Sequence, residues 1–149
     1  MKHLIVFAFI AISSITLAQD KSSNLNWLTN LEEAQKISKK EKKSILVYFT
    51  GSDWCTPCKM LKQDFFSSNE FSERSTDYVL VMIDYPRRID ILTEEQLEYN
   101  KKVIGKYNKE KSFPKLLMLN SQGKEKGKIS GYGSLRDTGP YFDFLDKNS

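Results

Sequence analysis

The sequence predicts an α/β fold, a three-layer α/β/α sandwich in which helices cover both faces of a central mixed sheet. Three features carry that expectation. Two apolar runs, Ser44 to Thr50 and Tyr78 to Asp84, are near-continuous rather than alternating, the pattern of strands covered on both faces, and the second is expected to be a central strand. Segments with apolar residues at helical spacing lie between the predicted strands. A third strand, Lys115 to Leu119, runs into the turn residues Asn120-Ser121-Gln122-Gly123 and a second arm from Lys124 to Ser130, a hairpin that makes the sheet mixed.

In chain order, Trp27, Leu31, Ala34 and Ser38, with Ile37 beside them, recur at helical spacing. Thr29 with Glu32, or Asn30 with Glu33, offers a capping-box start. Lys39, Lys40, Lys42 and Lys43 suit the negative end of that helix, and read as a solvated terminus rather than a docking patch. After the first strand, a helix is expected from about Cys55 to Ser67, burying Cys58, Leu61 and Phe65, followed by a short turn or helix at Asn69 to Glu73. Beyond the second strand, Tyr85-Pro86-Arg87-Arg88 opens a connection ending at Thr93, which with Gln96 resembles another capping box. The helix from Glu94 to about Asn108 buries Leu97, Val103, Ile104 and Tyr107 in this reading. Gly131-Tyr132-Gly133 marks a loop, and Pro140 sits in the first turn of a last helix that packs through Tyr141, Phe142, Phe144 and Leu145.

With 149 residues, 40% hydrophobic and 28% charged, the chain suits one domain with a proper core. Its beginning is distinctive. Lys2 and His3 precede the apolar run Leu4 to Ile12, and small residues follow at Thr16-Leu17-Ala18, the pattern of a secretory signal peptide cleaved after Ala18. A membrane anchor needs about 20 apolar residues, and this run is shorter. No cysteine lies near the cleavage point, which excludes a lipoprotein anchor. The expected organisation is a signal peptide over 1–18, a flexible leader over 19–26 and a folded domain over 27–149, exported to the periplasm or secreted. Loss of Lys2 leaves a net charge of about +3, scattered along the chain. That distribution gives no case for nucleic acid, a membrane surface or stable membrane insertion after cleavage.

Both cysteines of the chain stand in Gly51-Ser52-Asp53-Trp54-Cys55-Thr56-Pro57-Cys58-Lys59, directly after the first strand. A helix N-terminus has unpaired N–H groups and a partial positive charge, which favour a thiolate over a thiol. Cys55 is expected at that mouth and exposed; Cys58, one turn in, is expected to be shielded yet able to close a disulfide with it. A bridge over so short a loop removes little chain entropy, and structural bridges in exported proteins usually come in several pairs. Reactivity explains this lone pair better than stability does. Two thiolates make only half a tetrahedral zinc shell, and the sole histidine, His3, leaves with the signal peptide, so no metal is expected.

The element order, with Trp54-Cys55-Thr56-Pro57-Cys58-Lys59 after the first strand and Phe113-Pro114 before the third, resembles the thioredoxin superfamily. More narrowly it is similar to exported bacterial thioredoxin-like proteins, disulfide-isomerase-like members included, through Phe49 to Cys55, Val81 to Arg87 and Phe113 to Leu116. The likeness runs from about Trp27 to the C-terminus. It implies that Cys55 is the nucleophile and Cys58 the resolving thiol, that Pro114 is cis, and that its loop offers backbone groups to an extended substrate. It further implies substrate contact by Trp54, Pro57 and Phe113. Trp54 as plain core and Pro114 as a trans residue starting an edge strand are the bland readings. Where thioredoxins often carry a buried Asp before the motif this chain has Tyr48, whose phenol is a poor base at neutral pH. Either water or Asp53 takes the proton of Cys58, or the resolving step is slow. Lys59 and Lys115 are further candidates for tuning the thiolate; Lys115 stands where Thr is more usual, and either lies beside the sulfurs or points to solvent.

The resemblance implies a thiol–disulfide oxidoreductase that reduces or isomerises protein disulfides, as a monomer and without a prosthetic group. Thr56-Pro57 keeps the proline of reducing thioredoxins and favours a reductant or isomerase. A reductant in an oxidising compartment needs electrons, so a membrane-borne donor is expected. The competing reading is a non-catalytic binding or chaperone module on the same fold, using the apolar rim of Trp54, Phe113 and Pro114.

Overall fold

The computed structural model describes residues 25–149. The proposed signal peptide and leader residues 19–24 lie outside the described residues. Leu25, the first described, already packs against the core. Four strands, β1 (Ser44–Thr50), β2 (Tyr78–Asp84), β3 (Lys115–Leu119) and β4 (Glu125–Ser130), form one sheet in the order β2-β1-β3-β4. So β2 is an edge strand and not the central one expected, its outer side met, among the described residues, only by a one-residue bridge from Leu28. β1 runs parallel to β2, with Thr50 level with Asp84, and antiparallel to β3; β3 and β4 form the expected hairpin. Helices α1 (Leu31–Glu41), α2 (Thr56–Leu61), α3 (Asn69–Arg74), α4 (Glu94–Tyr107) and α5 (Gly139–Asn148) cover it.

Alternation along the strands assigns the two layers. Ile45, Val47 and Phe49 of β1, Val79, Val81 and Ile83 of β2, and Leu117 and Leu119 of β3 pack with Leu31 and Ala34 of α1 and Val103 and Ile104 of α4. Leu46 and Tyr48, Leu80, and Leu116 and Met118 face the other way. They share a core with Cys55, Cys58, Phe71 of α3, and Tyr141, Phe144 and Leu145 of α5. The cysteines therefore belong to the α2/α3/α5 face, and α1 and α4 to the opposite one.

Several boundaries differ from the sequence expectation. The α1 cap is Asn30, whose side chain accepts from Glu33 N, so Trp27 precedes the helix instead of lying on its face. Leu28 forms a one-residue parallel bridge with Val81, through Leu28 N to Leu80 O (2.9 Å) and Met82 N to Leu28 O (2.8 Å), and these bonds hold the segment extended. Trp27 is thereby placed against Tyr48 and Phe66 in the core that holds the cysteines. The helix expected from Cys55 to Ser67 is α-helical only to Leu61 and then widens into a π-turn over Lys62–Phe66, closed by Ser67 N to Lys62 O at 3.0 Å. The wider turn brings both Phe65 and Phe66 inward, where regular helical spacing would bury only Phe65. On α4, Leu97 and Tyr107 are half-buried, and along with the expected Val103 and Ile104 the helix buries Asn100. Its amide donates to the Asp84 carbonyl at 2.8 Å and accepts from Gln96, so a polar side chain is satisfied inside the core.

The loop after β4 is tied back to the π-turn by Asp64, which accepts from the Tyr132 hydroxyl (2.8 Å) and pairs with Arg136. Arg136, with Tyr132 assisting, holds the Asp64 carboxyl below its ordinary value despite some desolvation. A carboxylate depressed in the folded state adds stability above its unfolded pKa, and that contribution is lost as pH falls through the folded value. Asp64→Asn is accordingly expected to lower stability near neutral pH, with the gap from the parent closing below the ordinary carboxylate range, as read by urea unfolding across a pH series.

Candidate active site

β1 ends at Thr50, and the next four residues turn so tightly that Trp54 N and Cys55 N both donate to Gly51 O, at 3.2 and 2.8 Å. Gly51 is required by close approach: a Cβ there would meet the Trp54 ring at 2.3 Å. Cys55 caps α2, with its sulfur accepting from Cys58 N at 3.2 Å, and Pro57 lies in the first turn, where a missing N–H costs nothing. The two sulfurs are joined as a disulfide, with Cα atoms 5.2 Å apart.

The expected exposure of Cys55 is corrected. Its residue surface is 2% accessible, against 1% for Cys58. In the bonded form its sulfur is turned towards Cys58 and joins an apolar cluster against which Trp54 and Phe113 also pack. Trp54 itself is half-buried at the rim: its ring N–H donates to Tyr85 O at 2.7 Å, and Phe113 meets it edge-on at 5.5 Å. Phe113 in turn stacks on Tyr85, with centroids 6.3 Å apart and planes 9° from parallel. The Phe113–Pro114 bond is cis, and Pro114 O accepts from Gly131 N at 2.9 Å. The aromatic edge beside Cys55 is thus assembled from three separate stretches of chain.

The ionisable candidates are placed elsewhere. Lys115 neither neighbours the sulfurs nor reaches solvent; it is 1% accessible. It shares its strand face with Leu117, on the α1/α4 side of the sheet. There Nζ donates to Tyr107 O (2.8 Å) and pairs with Glu110 (2.6 Å), tying the end of α4 to the loop that leads into Pro114. Asp53 is not free to take a proton. Its carboxylate accepts from Arg87 N (3.0 Å) and Arg88 N (2.9 Å). Desolvation works against that carboxylate, but the N–H groups of Arg87 and Arg88, with the Asp53 N–H and the Arg87 charge assisting, outweigh it and hold the carboxyl below its ordinary value. Lys59 donates to Asp53 O at 3.1 Å across an exposed surface. Burial pushes the Tyr48 phenol up to about 12, and its hydroxyl donates to Cys58 O at 3.1 Å. A cleft of about 350 Å³ lies beside it, lined in part by Thr50, Ser52, Lys59, Gln63 and Met82. Among the described residues no three of His, Cys, Asp or Glu are grouped to hold a metal ion.

Sequence reasoning missed Asp84, Tyr85, Arg87 and Arg88 as supports of the site. Ser52 N and Oγ donate to the Asp84 carboxylate at 2.8 and 2.5 Å. The signal was present only as an acid ending an apolar strand, with nothing local to say what it would meet.

A mixed sheet of this order, with a Cys-x-x-Cys disulfide at the start of the helix after its central strand and a cis-proline before the third, defines a protein of the thioredoxin fold. The chain belongs to the thioredoxin-like family, whose model matches residues 26–121. It is 32% identical over 70% of its length to the disulfide bond reductase DsbH of Chlamydia pneumoniae, of which it spans 61%. It is also 28% identical over 80% of its length to the thiol:disulfide interchange protein DsbD of Campylobacter jejuni, of which it spans 19%. The chain thus covers less than two thirds of either relative. A solved DsbH oxidoreductase superposes with a TM-score of 0.69 at 28% identity, over 84% of this chain and 87% of that one.

Two substitutions test these placements. Tyr48→Phe is expected to cost about 1 kcal/mol of stability, while the pH profile of thiol exchange keeps its shape between about pH 6 and 9, where this phenol stays protonated. Lys115→Met is expected to leave the pH dependence of Cys55 alkylation in the reduced protein unchanged, because the sheet lies between that ammonium and the sulfurs.

Proposed function

We propose that this chain is an exported thiol–disulfide oxidoreductase that reduces or isomerises disulfides of other proteins. The observation that carries the reading is the Cys55–Cys58 disulfide at the start of α2, with the Cys58 N–H aimed at the Cys55 sulfur. That N–H and the first turn of the helix favour negative charge on Cys55, the form that attacks. In the reducing direction the Cys55 thiolate attacks one client sulfur, forming a mixed disulfide and expelling the first client thiolate. Cys58 then loses its proton and attacks the Cys55 sulfur, releasing the second client thiolate. Two electrons pass to the client, and the protein ends in its disulfide form. With Tyr48 too weak a base and Asp53 committed to Arg87 and Arg88, the Cys58 proton is assigned to water rather than to a side chain.

Both reacting sulfurs belong to one chain, which supports a reading in which the protein works as a monomer without a prosthetic group or metal. The reducing direction is supported by Thr56-Pro57 between the cysteines and by the name of the disulfide bond reductase relative. Export rests on the first 18 residues, with Trp54, Phe113 and Pro114 contacting the client. Re-reduction is assigned to a membrane-borne thiol donor, a proposal supported by the likeness to a thiol:disulfide interchange protein.

The protein is expected to accelerate insulin reduction by a dithiol, with Cys55→Ser at background. Cys58→Ala should accumulate mixed disulfides with client proteins, since nothing remains to resolve them. Insulin reduction no faster than with Cys55→Ser, together with client affinity unaltered in Cys58→Ala and no covalent adduct, would replace this reading with a holding module.

A further inference from the structure

One charged side chain on the rim of the disulfide lies over an aromatic ring and, among the described residues, has no ion-pair partner of its own. The backbone N–H of Arg87 is used by Asp53, but the guanidinium lies 4.7 Å over the Trp54 ring, on an exposed residue. Among the described residues it forms no ion pair within 4.0 Å. The neighbouring charges are occupied: Arg88 pairs with Asp90, Lys59 donates to the Asp53 carbonyl, and the Asp53 carboxylate is capped. The platform under Arg87 is fixed as well, since Trp54 is bonded to Tyr85 and wedged against Phe113. Trp54 adjoins Cys55 and Phe113 adjoins Pro114, so the cation stands on the same aromatic rim that borders the disulfide and the cis-proline. Two residues on, Ile89 is 91% exposed.

A guanidinium stacked on an indole is partly ordered before binding and is weakly hydrated, and its planar fork matches a carboxylate. We propose that Arg87 is a specificity-determining residue, receiving a carboxylate side chain that lies next to the reactive cysteine of the client, with Ile89 supplying apolar contact beyond it. The inference rests on the thiol–disulfide reading above and names the client chemistry that the same site selects: an extended acidic segment around the disulfide. The exchange itself is unaltered; the ion pair holds the client sulfur in reach of Cys55 and takes no part in bond making.

The test uses three synthetic peptides of one sequence, each closed by an internal disulfide and differing only in Glu, Gln or Lys beside the attacked cysteine. Fully reduced protein is mixed with each, and the rate of its oxidation is divided by the rate of the same peptide with dithiothreitol, which removes the intrinsic reactivity of the peptide. Glu is expected to exceed Gln by about two- to fivefold, the range of an exposed ion pair, with Lys below Gln and the differences shrinking as salt is added. In Arg87→Gln the Glu-to-Gln ratio should fall to about one, and Arg87→Lys should keep part of it, while the pH profile of Cys55 alkylation stays that of the parent in both. Equal normalised rates with all three peptides would overturn the inference and leave the exchange function standing; no exchange with any peptide would remove both. A ratio that survives Arg87→Gln, or a uniform loss accompanied by a displaced alkylation profile, would also overturn it and assign the cation to the sulfur.

Discussion

The turn from Thr50 to Trp54 has almost no hydrogen-bond ladder of its own, and its position is set residue by residue from the end of β2 and the loop after it. Thr50 O accepts from Tyr85 N, Ser52 donates twice to Asp84, the Asp53 carboxylate takes Arg87 N and Arg88 N, and the Trp54 ring donates to Tyr85 O. Asn100 then reaches across from α4 to hold the Asp84 carbonyl. The parallel register of β1 and β2 makes this possible, because Thr50 and Asp84 finish level and their following residues leave the sheet side by side. The site lies at the carboxyl ends of the parallel strands, where two chains emerging together can brace one another. Cys55 inherits its place at the head of α2 from that brace.

This explains which parts were legible in the sequence. Strand cores such as Ile45 to Phe49 and Val79 to Ile83 are buried on both faces, so their apolarity is continuous and their limits were read to the residue. The cap at Thr93 is local chemistry and was equally readable, while at α1 the sequence left Thr29 and Asn30 open and Asn30 is the cap. The cysteines and Phe113-Pro114 stood out because a family pattern names them. What failed was long-range: the bridge that pulls Trp27 away from α1, the π-turn that turns Phe66 inward, and the carboxylate of Asp84. The bridge and the Asp84 carboxylate meet partners far along the chain, at Val81 and Ser52. The π-turn, though closed locally from Ser67 N to Lys62 O, packs Phe66 on the distant Trp27 and Tyr48.

The ionisable groups make the same point more sharply. Adjacency in sequence put Asp53, Tyr48 and Lys115 near the sulfurs, yet the fold engages all three for support. Asp53 caps a loop and Tyr48 bonds the Cys58 carbonyl. Lys115 is separated from the disulfide by the parity of its strand: one step along β3 moves a side chain to the other face of the sheet, so Leu116 packs with the cysteines while Lys115 packs with α4. Its ammonium keeps two oxygen partners inside the protein, as a buried charge must.

Control of the reactive sulfur is therefore left to backbone groups, chiefly the Cys58 N–H, together with the head of α2. Backbone donors are fixed by the helix and do not titrate, so in the proposed oxidoreductase they would favour a Cys55 thiolate whatever the charges around the rim. The rim, by contrast, is charged and exposed at Arg87, on a loop that the brace holds in place. In the proposed oxidoreductase, this separation would let substitutions at Arg87 change which clients are met while the electron-transfer chemistry of the disulfide is left as it is. A side-chain acid or base beside the sulfurs would have coupled the two, because any charge that drew in a client would also have shifted the thiolate.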